Sequence, residues 1–137
     1  MLLVDSNVLL SLLVDGTPWH RATRALHDKD DDWRTESHAL VEISNVLARF
    51  VRLKALSGPK AIALMQGAEQ MMRRRVMTAD HAEALRLALR YQTSAYDARF
   101  LRCATELGIK LVTEDVKLRN AAPSLTQSLN GALAAST

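Results

Sequence analysis

Four acidic residues, Asp5, Glu42, Asp97 and Asp115, stand where they could share one cation although they are spread over most of the chain. Asp5 follows the apolar triplet Leu2 to Val4, and Asp115 closes the run Leu-Val-Thr-Glu-Asp at residues 111–115. Short continuous apolar runs suit strands buried on both faces. In an open parallel sheet, the C-terminal ends of the strands form the edge where ligands bind. Glu42 and Asp97 fall near the starts of expected helices that could begin at that edge, and Thr113 adds a hydroxyl. Carboxylates packed together repel one another, so they must take up protons or share a cation. Oxygen ligands without a cysteine set or a paired-histidine motif favour Mg²⁺ or Mn²⁺ over zinc. That chemistry suits phosphoryl transfer, in which a cation screens phosphate, acidifies water and stabilises the leaving oxygen.

Each acid also has a plain structural reading. Ser94 and Asp97 have capping-box spacing, Asp115 could cap a last helix, Asp5 could end a strand at a turn, and Glu42 could lie on a solvated stripe with His38, Asn45 and Arg49.

The elements that must position these residues can be read in order. After the first strand, Ser6 or Asn7 can cap a helix with Val8, Leu9, Leu12 and Leu13 inward. Thr17-Pro18 reads as a second helix start, with the helix reaching about residue 27. The acidic run Asp28, Asp30, Asp31 and Asp32 lacks the glycine and terminal glutamate of an EF-hand, so it reads as a solvated turn. Residues 33–35 suggest a strand, and Ser37 a cap for a helix to about residue 55, with Leu40, Ile43, Leu47, Phe50 and Val51 on one side. Ser57-Gly58-Pro59 breaks the chain before a helix over residues 60–72 with Ile62, Met65, Ala68 and Met72 inward. Val76 and Met77 suggest a third strand. Thr78 is placed to cap a helix over residues 79–92 that turns Ala82, Leu85, Ala88 and Leu89 to the core.

Tyr96, Phe100, Cys103 and Leu107 then recur at helical spacing as one buried face, and Gly108 ends that helix before the apolar residues Ile109, Leu111 and Val112. A short helix follows Asp115, Pro123 stops it, and residues 124–129 suggest an edge strand. Strands alternating with helices imply an α/β fold with a parallel sheet covered on both faces. Residues 1–130 read as one domain, and residues 131–137 as a disordered tail.

Composition bounds the function. The chain has 137 residues, 48% of them hydrophobic, which suits one compact domain. A net charge of +3 and a pI of about 9.4 permit nucleic-acid contact without requiring it. Cys103 is the only cysteine, which excludes an internal disulfide and a cysteine zinc site and fits residence in the cytoplasm. The apolar N-terminal stretch lacks a basic residue ahead of it and is interrupted by Asp5, so it reads neither as a signal peptide nor as a membrane span. Arg73, Arg74, Arg75, Arg99, Lys117 and Arg119 are candidates to steer a polyanion. With two each of Trp, Tyr and Phe, an extended aromatic stacking platform is not expected.

The segments LVDSNVLL, VEISNVL around Glu42, YDARFL at residues 96–101 and LVTED at residues 111–115 resemble the ordered motifs of PIN-domain ribonucleases, above all the VapC-type toxins of toxin–antitoxin pairs. The resemblance covers nearly the whole chain and implies a five-stranded parallel sheet in the order 3-2-1-4-5. It assigns Asp5 and Asp97 as direct ligands of Mg²⁺ or Mn²⁺, with Glu42 and Asp115 holding metal-bound waters or a second ion. Ser6, Asn7 and Thr113 match the family's supporting polar positions. It further implies metal-assisted cleavage of single-stranded RNA, a small antitoxin partner and a homodimer. Two rivals stand beside it: a PIN nuclease of RNA processing without an antitoxin, and a non-catalytic binding module. A haloacid-dehalogenase-type phosphatase fits less well, because Asn7 occupies the place of its second Asp.

Overall fold

A computed structural model describes residues 1–135. The elements are β1 (Leu2–Val4), α1 (Ser6–Leu13), α2 (His20–Lys29), β2 (Trp33–Glu36), α3 (His38–Arg52), α4 (Gly58–Met72), β3 (Val76–Met77), α5 (His81–Tyr91), α6 (Ala95–Leu107), β4 (Leu111–Val112), α7 (Val116–Ala121), β5 (Thr126–Gln127) and α8 (Leu129–Ala135). The strands form one five-stranded sheet in the order β3-β2-β1-β4-β5, and every pairing is parallel. Both the α/β architecture and the strand order agree with expectation.

The central strands show why so few residues hold the sheet. Successive side chains of a strand point to opposite faces, so Leu3 and Leu111 enter a core with Phe100, Leu101, Cys103 and Leu118. Val4 and Val112 enter the other core with Val8, Leu9, Leu26, Trp33, Ile43 and Leu129. Because β1 and β4 pair with Val4 opposite Val112, Asp5 and Thr113 leave the sheet side by side. Among the described residues no helix is long and apolar enough to cross a membrane.

Several local expectations give way to tertiary packing. The second helix begins at His20 rather than at Thr17-Pro18: residues 17–19 form a turn, and the buried Thr17 hydroxyl has no hydrogen-bond partner among the described residues. On α5 the buried residues are Ala84 and Ala88, whereas Leu85 and Leu89 face outward, because α5 packs closely on α6 and small side chains allow that approach. Ile62 and Tyr96 are likewise exposed where periodicity places them inward. The tail expected over residues 131–137 is helical as far as Ala135, since Leu129 and Ala132 bury against the core; residues 136 and 137 lie outside the described residues.

Candidate active site

Asp5 is the centre of the acidic edge. It is the N-cap of α1, its Oδ1 accepting from the Ser6 backbone N–H at 2.7 Å, so the cap is Asp5 itself and not Ser6 or Asn7. Oδ2 accepts from the Thr113 hydroxyl at 2.7 Å and from Asn7 Nδ2 at 3.4 Å. The Ser6 hydroxyl lies 3.4 Å from Oδ1 and donates to Glu42 Oε2 at 2.9 Å, which ties α3 to α1. Thr113 in turn accepts from the Asp115 N–H at 3.1 Å and from Asn7 Nδ2 at 3.3 Å, and Asn7 Oδ1 accepts from the Glu114 N–H. Asp115 caps α7 through the Leu118 N–H. Asp97 sits in the first turn of α6, where the Ser94 hydroxyl accepts its backbone N–H at 3.0 Å.

The four acids thus reach one edge from four elements, and their charges act on one another. Burial raises the Asp5 pKa to about 6, with Glu42 and Asp97 adding to the rise against the bonds from Thr113 and Ser6. The Glu42 pKa is raised by burial, then by the charges of Asp97, Glu36 and Asp115. Burial also raises the pKa of Asp97, followed by the charge of Asp115, while Ser94, Lys117 and His38 oppose the shift. Among the described residues none of the four pairs with a lysine or arginine within salt-bridge distance; the only imidazole contact is His38 Nε2, 3.9 Å from Glu42 Oε1. One small cleft is lined by Ser6, Asn7, Leu10, Glu42 and Ile43, and a second by Ser94, Asp97 and Lys117 among others.

The donor set is all oxygen and carries an uncompensated negative charge, which fits a hard divalent cation. Among the described residues no three histidine, cysteine or acidic side chains converge as a ready-made cage. An ion held at this edge would therefore keep much of its own water, as Mg²⁺ readily does.

The basic candidates separate. Lys117 lines the same cleft as Asp97. Arg119 is committed to the Thr113 carbonyl and to Glu114, whose other oxygen accepts the Leu129 N–H and so anchors α8. Arg75 precedes β3 and reaches the Asp31 carbonyl and Asp32, which precede β2. Arg73, Arg74 and Arg75 therefore sit toward the N-terminal edge of a parallel sheet, away from the acids.

Arg99 is also engaged internally. Its Nε meets both Glu36 oxygens at 3.1 and 3.0 Å, and Nη1 lies 3.1 Å from His81 Nδ1. Glu36 has 0% exposure and is the residue the sequence reading missed. It also accepts from the His38 N–H at 2.7 Å, taking the capping role expected of Ser37. Burial would raise its pKa, but Arg99, His38 and Ser37 together hold it below the usual glutamate value. Its signal was available: like Asp5, it is an acid at the end of a strand.

The PIN-domain family model matches residues 2–123. Among solved structures the chain is similar to PAE2754 from Pyrobaculum aerophilum, at 20% identity and a TM-score of 0.77, over 98% of this chain and 93% of that one. It is also similar to FitAcB from Neisseria gonorrhoeae, at 19% identity and a TM-score of 0.67, over 93% of this chain and 96% of that one. At these identities the structural likeness speaks for the fold alone. No curated protein matches the chain. PIN domains are generally nucleases, and with the family model spanning most of its length, the chain belongs to the PIN-domain family.

Proposed function

We propose that this chain is a Mg²⁺- or Mn²⁺-dependent endoribonuclease that cleaves single-stranded regions of RNA, and that it is the VapC-type toxin of a toxin–antitoxin pair, acting in the cytoplasm to inhibit translation or growth. One observation carries the nuclease reading: Thr113 links Asp5 to the Asp115 backbone and Ser6 links Asp5 to Glu42, and among the described residues none of Asp5, Glu42, Asp97 and Asp115 has a lysine or arginine within salt-bridge distance. Asp5 and Asp97 would hold the ion directly, with Glu42 and Asp115 beside it. Bound there, the cation supplies charge to screen the phosphate and to acidify water. Thr113 and Ser6 fix the Asp5 carboxylate, and Ser6 fixes Glu42 in the same frame. Asp97 or a neighbouring acid of the same edge would accept the proton of a water attacking the phosphodiester in line. No nucleophilic serine, cysteine or histidine is required, and burial pushes the Cys103 thiol up to about 12.

Two surfaces support the partners. An apolar groove between α3 and α4, lined by Leu47, Val51, Ala61, Ile62 and Met65, suits an amphipathic segment of an antitoxin. The exposed Leu85 and Leu89 of α5 suit a homodimer.

The test is cleavage of a panel of cellular RNAs by the purified chain in Mg²⁺, in Mn²⁺ and in EDTA, beside the Asp97→Asn variant. Discrete metal-dependent products that vanish in the variant are expected. Products that persist in EDTA or in the variant would refute this site, and no products in any condition would favour a binding module. Growth arrest on expression, relieved by a small protein encoded beside the gene, would separate a toxin from an RNA-processing nuclease.

A further inference from the structure

Beside the acids, two aromatic rings meet. Tyr96 immediately precedes Asp97 on α6 and is 65% exposed, at a position where helical periodicity expects burial. Its ring stacks on that of His38, with centroids 4.9 Å apart and planes inclined by 16°. His38 opens α3 and lies 3.9 Å from Glu42 on the next turn. Two helices that each bring an acid to the edge therefore each bring a ring, and the rings meet. Flat stacking engages one face of the tyrosine, and its large exposure leaves aromatic surface in water beside the acids.

We propose that the His38–Tyr96 stack is a nucleobase platform, on which one base of a single-stranded nucleic acid packs next to the acidic edge. The inference rests on the nuclease reading above. Unstacked bases pack on aromatic side chains whatever their identity, because every base offers a π-face, whereas a duplex keeps its bases stacked on one another. One stack holds one base, which suits a chain with too few aromatic residues for a longer platform. Lys117, in the cleft with Asp97, supplies a point charge for a neighbouring phosphate. Base and phosphate would then be gripped on either side of Asp97, setting which phosphodiester faces the acids.

The test uses the full chain and a short fluorescein-labelled single-stranded RNA carrying the sequence cut most strongly in the panel above. Tyr96→Ala should raise KM on the order of 5- to 100-fold, the range expected for losing one stacked base, with kcat little changed. Tyr96→Phe keeps the ring and should behave as wild type. An unchanged KM in Tyr96→Ala would overturn the platform, as would an equal loss in the alanine and phenylalanine variants. A change in oligomeric mass on Tyr96→Ala would overturn it by assigning the ring to a protein contact. If the wild-type chain yields no product at all, the nuclease reading fails first and the platform falls with it; that outcome is distinct from a wild type that cleaves but ignores Tyr96.

Discussion

The hydroxyl of Thr113 donates to Oδ2 of Asp5 at 2.7 Å, although 108 residues separate the two in the chain. The pairing of β1 with β4 makes them neighbours, and the same hydroxyl accepts the Asp115 N–H, so one oxygen links two acids. Thr113→Val keeps the branched shape and removes that oxygen, leaving a buried carboxylate and a backbone N–H short of a partner. The expected cost is about 1–3 kcal/mol, read as a lower urea midpoint. Because this bond lowers the Asp5 pKa, the value should climb above its present level near 6, moving the acid limb of the activity profile to higher pH. A variant as stable as wild type would show that the link contributes nothing.

The raised pKa values also fix the sign of the pH dependence. In metal-free protein, Asp5 binds its proton more tightly when folded, with a pKa of about 6 against 3.8 for the ordinary side chain, and Glu42 and Asp97 shift the same way. Below about pH 6 the native state therefore holds more protons than the unfolded chain. Stability should rise as pH falls through about 6 and level off near pH 4, where both states are protonated. For Asp5 alone the gap corresponds to roughly 3 kcal/mol. Thermal unfolding in EDTA at about pH 5 and about pH 7.5 should show about half of that gap, since at about pH 5 only about one of the roughly two pH units between the folded and unfolded values has been crossed. Mg²⁺ should stabilise the protein at the higher pH and little at the lower, since protons and cation compete for the same oxygens. Asp5→Asn should flatten the slope.

Strand-end acids are legible in a sequence because an apolar run and a carboxylate need only a few residues to show themselves. Asp5 and Asp115 show themselves that way, and Glu42 and Asp97 are legible as acids early in helices expected to begin at the same edge. Helix faces are harder to read. Along α5 the residue pairs 84/88 and 85/89 share the same periodicity, and hydrophobicity favours the leucines, whereas the neighbouring helix admits only the alanines. Nor does a sequence show whether an arginine is free. Arg99 looks like a polyanion contact until Glu36, 63 residues away, is seen to hold it.

That pairing gives a further prediction. Glu36 is fully buried and charged, and Arg99 is its cationic partner at salt-bridge distance. Arg99→Ala would strand the carboxylate, at an expected cost of about 3–5 kcal/mol. The double variant Arg99→Ala with Glu36→Gln should recover part of that loss, since it removes the unpaired charge. If Arg99 instead contacted RNA, the single variant would leave the unfolding midpoint in place and reduce the salt dependence of RNA affinity. The two readings are separated by one denaturation curve and one salt titration.

Leu85 and Leu89 are 52% and 67% exposed and one helical turn apart, on a face of α5 turned about 100° from the buried alanines. An exposed pair of this kind suits a two-fold interface, in which the same patch of each copy meets its equivalent. Burying what remains exposed of each leucine would contribute about 1–2 kcal/mol before the cost of association. Light scattering on the purified chain should give the mass of a dimer, and Leu85→Glu combined with Leu89→Glu should give a monomer with the same circular dichroism. The charges cannot disturb the core, because neither leucine enters it. A double variant that keeps the wild-type mass would place any interface elsewhere, and a wild-type monomer would leave the leucines without a self-partner.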